Sequence, residues 1–547
     1  MMKLETIKKI GKEHKFAILF FMIGFAISIF VAPYGIFCDE ADVITASWLM
    51  SKGELLYKDI FSHHMPVPYF FLEIFQFFSN NLVFLRISFA IVTQAYFILL
   101  YLFFRKKLHP YVIPIVSVLW GLVRHMFMQQ MILADTFVAL GLFTVFLEIV
   151  THKEAKYALK DKILIAFATF ISFGSSLIAV YPLMIFYMYY IIKRIVLYVK
   201  EKEKALAYFK EDLGFAGIVL CPFFLFAFYL LATNTWGDFW ENAIFFNTDY
   251  YSLYNGEETP ITLILNQFLN FPHKTWLHFF ISTAYFPDMF YYTTDMFISF
   301  NYLVFLVWSV IALWRYKKRA ILYILFIYFC YMRDGFHVTP FILFTQYMVA
   351  EALIWAFSKM KTEKKAKPKE TIAVVLILFY AILHFALLGN DLKGLLEGNE
   401  YVTDYGKEYK DVIIAVTEED DTIWAVPMKA ELYFVTNRMP ANENIFYLPW
   451  QSIKSGVNEE IQKDLIENKA KVIVYDGEEL LWSDKIVTSE YCGWLEEFLQ
   501  ESYFTIKGLD NVYFLKEEES KIIEKLIEKN IVRREENGEI VCSNASV

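Results

Sequence analysis

The sequence predicts a polytopic α-helical membrane protein with a small α/β domain outside the membrane. Three observations lead there: a surplus of apolar residues, their grouping into runs long enough to cross a bilayer, and a change of composition near residue 391. Of 547 residues, 57% are hydrophobic and 19% aromatic, and mean hydropathy is +0.39. That is far more apolar surface than one soluble core of ordinary proportions requires.

Crossing about 30 Å of hydrocarbon takes about 20 apolar residues in a helix. Runs of that length occur near residues 16–36, 82–104, 213–233, 297–314 and 370–389. Shorter or interrupted candidates lie near 111–128, 131–150, 163–176, 178–192, 320–335 and 338–358, which brings the expected number of crossings to about eleven. The charge pattern is an independent test, because Lys and Arg collect in cytoplasmic loops. Lys3 to Lys15, Arg105-Lys106-Lys107, 153–162, 193–210, "RYKKR" at 315 and "KMKTEKKAKPKE" at 359 fall on one side if the spans alternate. That side is read as the cytoplasm, with the N-terminus in it. The loops at 37–80 and 234–275 then face outward, and an odd number of spans leaves the C-terminal part outside as well. The first run is read as an uncleaved anchor, since an A-x-A-like cleavage site is missing.

The expected division is a transmembrane domain at 1–391, with its first outer loop at 37–80, and an extracytoplasmic α/β domain at 392–547. In the latter, "DTIWAVP", "AKVIVYD" and "NVYFLK" read as strands between amphipathic stretches such as "EEIQKDLIEN". The charged tail from about Glu517 has apolar residues at helical spacing.

Several function classes fall away. Asp39-Glu40-Ala41-Asp42 spells the nucleotide box of RNA helicases, but no G-x-x-x-x-G-K-[ST] loop precedes it to cradle a triphosphate. Five scattered cysteines contain no C-x-x-C, so neither a zinc knuckle nor a redox motif is supported, and Cys492 with Cys542 could pair only if the fold brought them together. The net charge is −9 and the cations are accounted for by membrane orientation, so nucleic-acid binding is not supported.

Attention therefore settles on the first outer loop. The segment from about Ala41 to Lys52 suits a helix lying on the membrane surface, with Gly53 as its stop. Asp39 and Glu40 then sit at its positive N-terminal end, where the dipole favours ionised carboxylates by about 0.3 to 1 kcal/mol. They are poised as bases; the plain alternative is that they only cap the helix. An acidic pair after the first span, a helix, then G-x-L-x-Y-x-D and a proline (here Asp39-Glu40, Gly53, Leu55, Tyr57, Asp59 and Pro66) resembles the GT-C glycosyltransferases. Within them, the pattern is most similar to the family 39 branch of protein O-mannosyltransferases, aminoarabinose transferases and RgtA-like sugar transferases.

The resemblance implies an inverting enzyme that moves a sugar from a polyprenyl-phosphate carrier to an extracytoplasmic glycan, lipid or protein. A hydroxyl is a poor nucleophile, and a carboxylate that takes its proton contributes about 10² to 10⁴-fold. By resemblance Asp39 is that base, with Glu40 second or orienting. Tyr57, Asp59, His63 and His64 follow on the loop, where they could bind acceptor, donor phosphate or a divalent ion. A solvated loop is favoured over a metal site, since H-E-x-x-H is missing.

Asp135 interrupts an apolar run, where a mid-membrane charge costs about 2.5 to 3.5 kcal/mol, so it should line a cavity or lie near the outer end. In "CYMRDGFHVTP", Arg333 and His337 are carried over as donor-phosphate groups, Arg for its bidentate fork. Arg124, beside His125, is a further candidate for that role. The aromatic stretch "FWENAIFFNTDYYSLYN", with Asn247 and Asp249, reads as an interface belt or as a platform for sugar or lipid. A transporter or flippase of lipid-linked sugar is the alternative function, though no internal repeat supports it; a non-catalytic membrane scaffold is a third.

Overall fold

The computed structural model describes residues 4–152, 157–251, 293–330, 335–362, 368–398, 400–481 and 486–543. Among the described residues, eight helices are long and apolar enough to cross a membrane: His14–Val31, Leu82–Phe104, Ala134–Thr151, Leu177–Lys200, Lys202–Ala232, Thr294–Tyr316, Phe336–Met360 and Glu370–Glu397. Shorter helices, Val112–Val123, Leu159–Phe173 and Lys318–Tyr328, stand where the sequence places the other three crossings. The protein is a multi-pass membrane protein, mostly helical.

The first nine helices are α1 (Leu4–Val31), α2 (Cys38–Ser51), α3 (Val67–Gln76), α4 (Leu82–Phe104), α5 (Val112–Val123), α6 (Ala134–Thr151), α7 (Leu159–Phe173), α8 (Val180–Lys200) and α9 (Ala205–Ala232). Neighbouring spans pack as the short connections require, α1 on α4 and α5, and α7 on α6 and α9. Their apolar core centres on α5 and α6, where Trp120, Leu142, Phe143 and Phe146 are almost wholly buried. Lipid-facing positions stay open, as Phe224 and Phe228 on α9 do at 65% and 71% exposed.

The C-terminal region is a small α/β unit. Five strands lie in the order Met439–Pro440, Thr422–Val426, Val472–Tyr475, Leu509–Leu515, Tyr503–Ile506. The first three are parallel and the last two are antiparallel additions. Val472–Tyr475 is buried at every position, as a central strand covered on both faces should be. All three stretches expected to be strands are strands. The fold does not join Cys492 and Cys542 in a bridge.

One arrangement departs from the sequence expectation. α2 begins at Cys38 rather than Ala41, and residues Glu40 to Met50 are all buried. The helix does not lie open on a membrane surface. α3 covers one side and the helix Glu431–Thr436 of the α/β region covers another, because α2 carries apolar residues all round: Val43, Ile44, Trp48 and Leu49 are each 6% exposed or less. Thr45 Oγ1 donates to Ala430 O at 2.8 Å, and Phe61 N–H donates to Glu443 O at 2.9 Å. The loop after α1 and the α/β region therefore share one core. Gly53 ends the helix at φ +107°, a left-handed conformation that favours glycine.

Candidate active site

The two neighbouring acids of α2 part company at once. Glu40 is fully buried, and so is Arg86 from α4. Arg86 Nε donates to Glu40 Oε1 at 2.9 Å, and Arg86 Nη2 donates to Oε2. The rest of the guanidinium closes on the chain between α1 and α2, with Nη1 donating to Ala32 O and Tyr34 O at 3.1 and 2.8 Å and Nη2 to Gly35 O at 2.8 Å. Ile132 N–H donates to Glu40 Oε1 at 2.9 Å, and the Tyr405 hydroxyl lies 2.8 Å from Oε2. Every lone pair of the carboxylate faces a donor, which is how a buried charge survives in a low-dielectric site. Glu40 pins the loop entry and is not presented to a substrate.

Asp39 is half-buried and has no cation paired to it at salt-bridge distance among the described residues. Among the described residues its side-chain hydrogen bond is a weak one, from Cys38 Sγ at 3.5 Å. Burial raises its pKa above the ordinary carboxylate value; the His64 and His337 imidazoles and the Cys38 thiol pull against that, while Asp42 adds to it. Asp39 and Asp42 stand three residues apart, hence on one face of α2.

Asp42, 4% exposed, accepts from Tyr69 Oη at 2.5 Å, and His64 Nδ1 lies 3.4 Å from the same Oδ2. Its Oδ1 is buried without a hydrogen-bond partner among the described residues. Tyr69 is tied in turn to Ser62 Oγ at 2.9 Å, which accepts the His64 N–H at 3.1 Å. Burial pulls the His64 pKa down, but the hydrogen bond and charge of Asp42, with Asp39 and Asp135 behind it, carry it above the ordinary value.

A second histidine enters from the segment after Lys318–Tyr328. His337 Nδ1 is 3.1 Å from Asp135 Oδ1, and Asp135 lies in the first turn of α6. The acid in the apolar run thus sits at a helix end, where the N-terminal dipole favours its charge. Phe336 packs edge-on against Phe37, the residue before α2, at 5.2 Å. Asp39, Asp42, His64, Asp135 and His337 accordingly form one polar cluster at one end of the bundle.

The other expected site residues lie elsewhere. Tyr57 is 1% exposed at φ +76°, with its hydroxyl on His64 O at 2.9 Å; it shapes the loop from behind, because its ring is enclosed against Phe239. His63 is 8% exposed, stacked 4.1 Å from His64, and kept neutral by burial and that neighbour, which push its pKa well down. Asp59 Oδ2 closes a turn by accepting the Leu55 N–H at 2.9 Å, and it lines a separate cleft of about 180 Å³ with Glu54, Glu443 and Asp464. Arg124 is wholly buried and donates through Nε to Gln129 O at 2.9 Å, so it shapes a turn and offers no surface to a phosphate. His125 Nε2 meets Asp391 Oδ2 at 3.2 Å. Arg333 lies outside the described residues.

Asn242 and Asn247, from the aromatic stretch, donate to Tyr57 O and His63 O at 2.8 and 2.6 Å. That segment therefore buttresses the loop. Among the described residues, the group of His and carboxylates close enough to hold a cation is Glu148, His152 and Asp161. It lies 13 residues along α6 from Asp135, about 20 Å away, and the Lys107 ammonium already meets Asp161 at 3.2 Å.

No family model and no curated protein sequence matches the chain. Solved structures do. ArnT from Cupriavidus metallidurans, bound to undecaprenyl phosphate, superposes with a TM-score of 0.50 at 11% identity, over 92% of this chain and 98% of that one. The fold is similar to that of ArnT. The likeness runs over nearly the whole length of both chains, the membrane helices and the C-terminal region together. The archaeal oligosaccharyltransferase AglB from Archaeoglobus fulgidus, in complex with an inhibitory peptide and a dolichol phosphate, aligns over 98% of this chain and 74% of its own at 10% identity, TM-score 0.44.

Sequence reasoning missed Arg86, Asp42 and Tyr69. Arg86 had a signal, since a cation inside an apolar run needs a partner. Asp42 had one in its i, i+3 spacing from Asp39. Tyr69 had none, because tyrosines crowd the membrane interface throughout.

Proposed function

We propose that the protein is a membrane glycosyltransferase that moves a sugar from a polyprenyl-phosphate carrier to an extracytoplasmic hydroxyl, with inversion and with Asp39 as general base. Residues 1–391 form the catalytic membrane part and 392–547 an outer α/β part, with the N-terminus in the cytoplasm. The observation that carries the reading is the contrast on α2: on a GT-C fold, Glu40 is saturated by Arg86 while Asp39 is left half-exposed beside two imidazoles. The undecaprenyl phosphate bound to ArnT supports a polyprenyl phosphate as the carrier here.

In the reaction the acceptor O–H proton passes to Asp39 as its oxygen attacks the anomeric carbon. The anomeric C–O bond to phosphate breaks, and the electron pair leaves with the polyprenyl phosphate. His64 and His337 border this space, and Asp42 favours the charged form of His64, which would favour an anion nearby. Asp135 fixes the His337 ring. Asp42 and Tyr69 are positioning residues for His64.

The test is transfer from a radiolabelled polyprenyl-phosphate sugar in proteoliposomes. Asp39→Asn is expected to abolish transfer while leaving the protein folded. Full transfer by the Asp39→Asn and Glu40→Gln variants alike overturns the assignment, and movement of lipid-linked sugar without a new glycosidic bond makes the protein a transporter.

A further inference from the structure

Between α1 and α4 runs a groove of about 750 Å³, walled by Ala17, Phe21, Met22, Phe25, Ile98 and Leu102. It is open to the surroundings: Met22 and Leu102 are 63% and 55% exposed. Along α1 the groove extends from His14 to Ala26, about 18 Å by helix rise and so close to the half-thickness of a bilayer's hydrocarbon. Its walls are apolar for that length apart from Gln94, and the His14 end carries the Arg105 cation.

At that end Arg105 Nη1 donates to His14 Nε2 at 2.7 Å. The His14 proton is then on Nδ1, which lies 2.7 Å from Tyr101 Oη. Arg105 thus meets an imidazole, and among the described residues none that lines the groove is acidic. Lys15 and Lys106, adjacent in sequence to this pair, are exposed. A guanidinium carries five N–H donors in a planar fork that fits phosphate oxygens. An apolar slot ending in a cation, with no carboxylate on it among the described residues, complements a lipid chain ending in a phosphate.

We propose that this groove holds one acyl chain of an anionic phospholipid, with its phosphate on Arg105 and His14. The site is distinct from the catalytic cluster. α1 runs from His14 on one membrane face to Val31 just before α2 on the other, so Arg105 and Asp39 stand at opposite faces. The lipid is a resident of the leaflet opposite to the reaction.

The experiment uses the full chain in nanodiscs of equal phosphatidylglycerol and phosphatidylcholine, with retained lipid measured by native mass spectrometry after detergent extraction. Phosphatidylglycerol is expected to be enriched about fivefold, the preference one interfacial cation supplies. Arg105→Gln should bring the two lipids to parity. Leu102→Trp, which fills the groove with the charge intact and changes a lipid-facing position, should lower phosphatidylglycerol retention and keeps the proposal testable if Arg105→Gln does not fold. Equal retention of both lipids by the parent protein, undiminished retention by Leu102→Trp, or displacement of the lipid by millimolar inorganic phosphate would each overturn the proposal.

Discussion

Two sides of one short helix behave differently. On one, Glu40 and Arg86 are buried and every polar atom of the carboxylate meets a donor. On the other, Asp39 is half-exposed with one long contact to a thiol, and Asp42 keeps an oxygen without a partner among the described residues. Adjacent residues of like charge thus have unlike surroundings, and on the proposed function the saturated buried charge supports structure while the one left short of partners serves as base. Breaking the first side should unfold; breaking the second should only inactivate.

The largest effect is therefore expected at Arg86. Arg86→Ala leaves Glu40 buried and unpaired, a loss of about 3 to 5 kcal/mol of stability, and frees three backbone carbonyls between α1 and α2. Unfolding in mixed micelles measures it. The double variant Arg86→Met with Glu40→Met sharpens the comparison: removing both charges should recover part of that stability but not all, because the carbonyls stay without their donors. Full stability in Arg86→Ala would remove the distinction between the two sides.

Next comes Asp39. Asp39→Ala is expected to lower transfer by a factor of about 100 or more, or about 2.7 kcal/mol of transition-state stabilisation, with an unfolding curve like that of the parent. The pH profile carries the same argument. A base with a raised pKa is lost to protonation at a higher pH than an ordinary carboxylate, so the acid limb of kcat/KM should fall above the usual value of about 3.9. A limb at or below that value would place the base elsewhere.

Much of this was readable before any coordinates. Apolar run length places the helices, because the bilayer imposes one length on each crossing. The strands of the C-terminal region announce themselves as short apolar runs between charged stretches. Asp39, His64, Asp135 and His337 are individually visible as polar groups out of place. What the chain could not reveal is pairing. Whether Asp39 or Glu40 meets Arg86 depends on which way α2 turns about its axis, and that is decided by α3 and the helix Glu431–Thr436 closing over it from opposite ends of the sequence. For the same reason Tyr57 and Arg124 looked like substrate groups: only the packed loop shows that the Tyr57 hydroxyl is already taken, and only the turn at Gln129 shows that Arg124 is enclosed.

The smallest effects belong to the second layer of the open side. His64 has a folded pKa above its unfolded value of about 6.5. The stability it contributes is accordingly complete below that value and is lost as pH rises through the folded one. With the ring 41% exposed, solvent screening keeps the effect small. His64→Gln should flatten the fall in stability seen on the alkaline side of neutrality, and an unchanged slope would detach His64 from Asp42. Tyr69→Phe removes one hydrogen bond to Asp42 at 2.5 Å, worth about 0.5 to 1.5 kcal/mol and more where the acceptor is charged. Because Tyr69 also holds Ser62, and through it the His64 backbone, its loss should let the imidazole turn and shift the alkaline limb of the transfer profile toward lower pH. A stability loss with no movement of that limb would make Tyr69 a packing residue and leave Asp42 alone to orient His64.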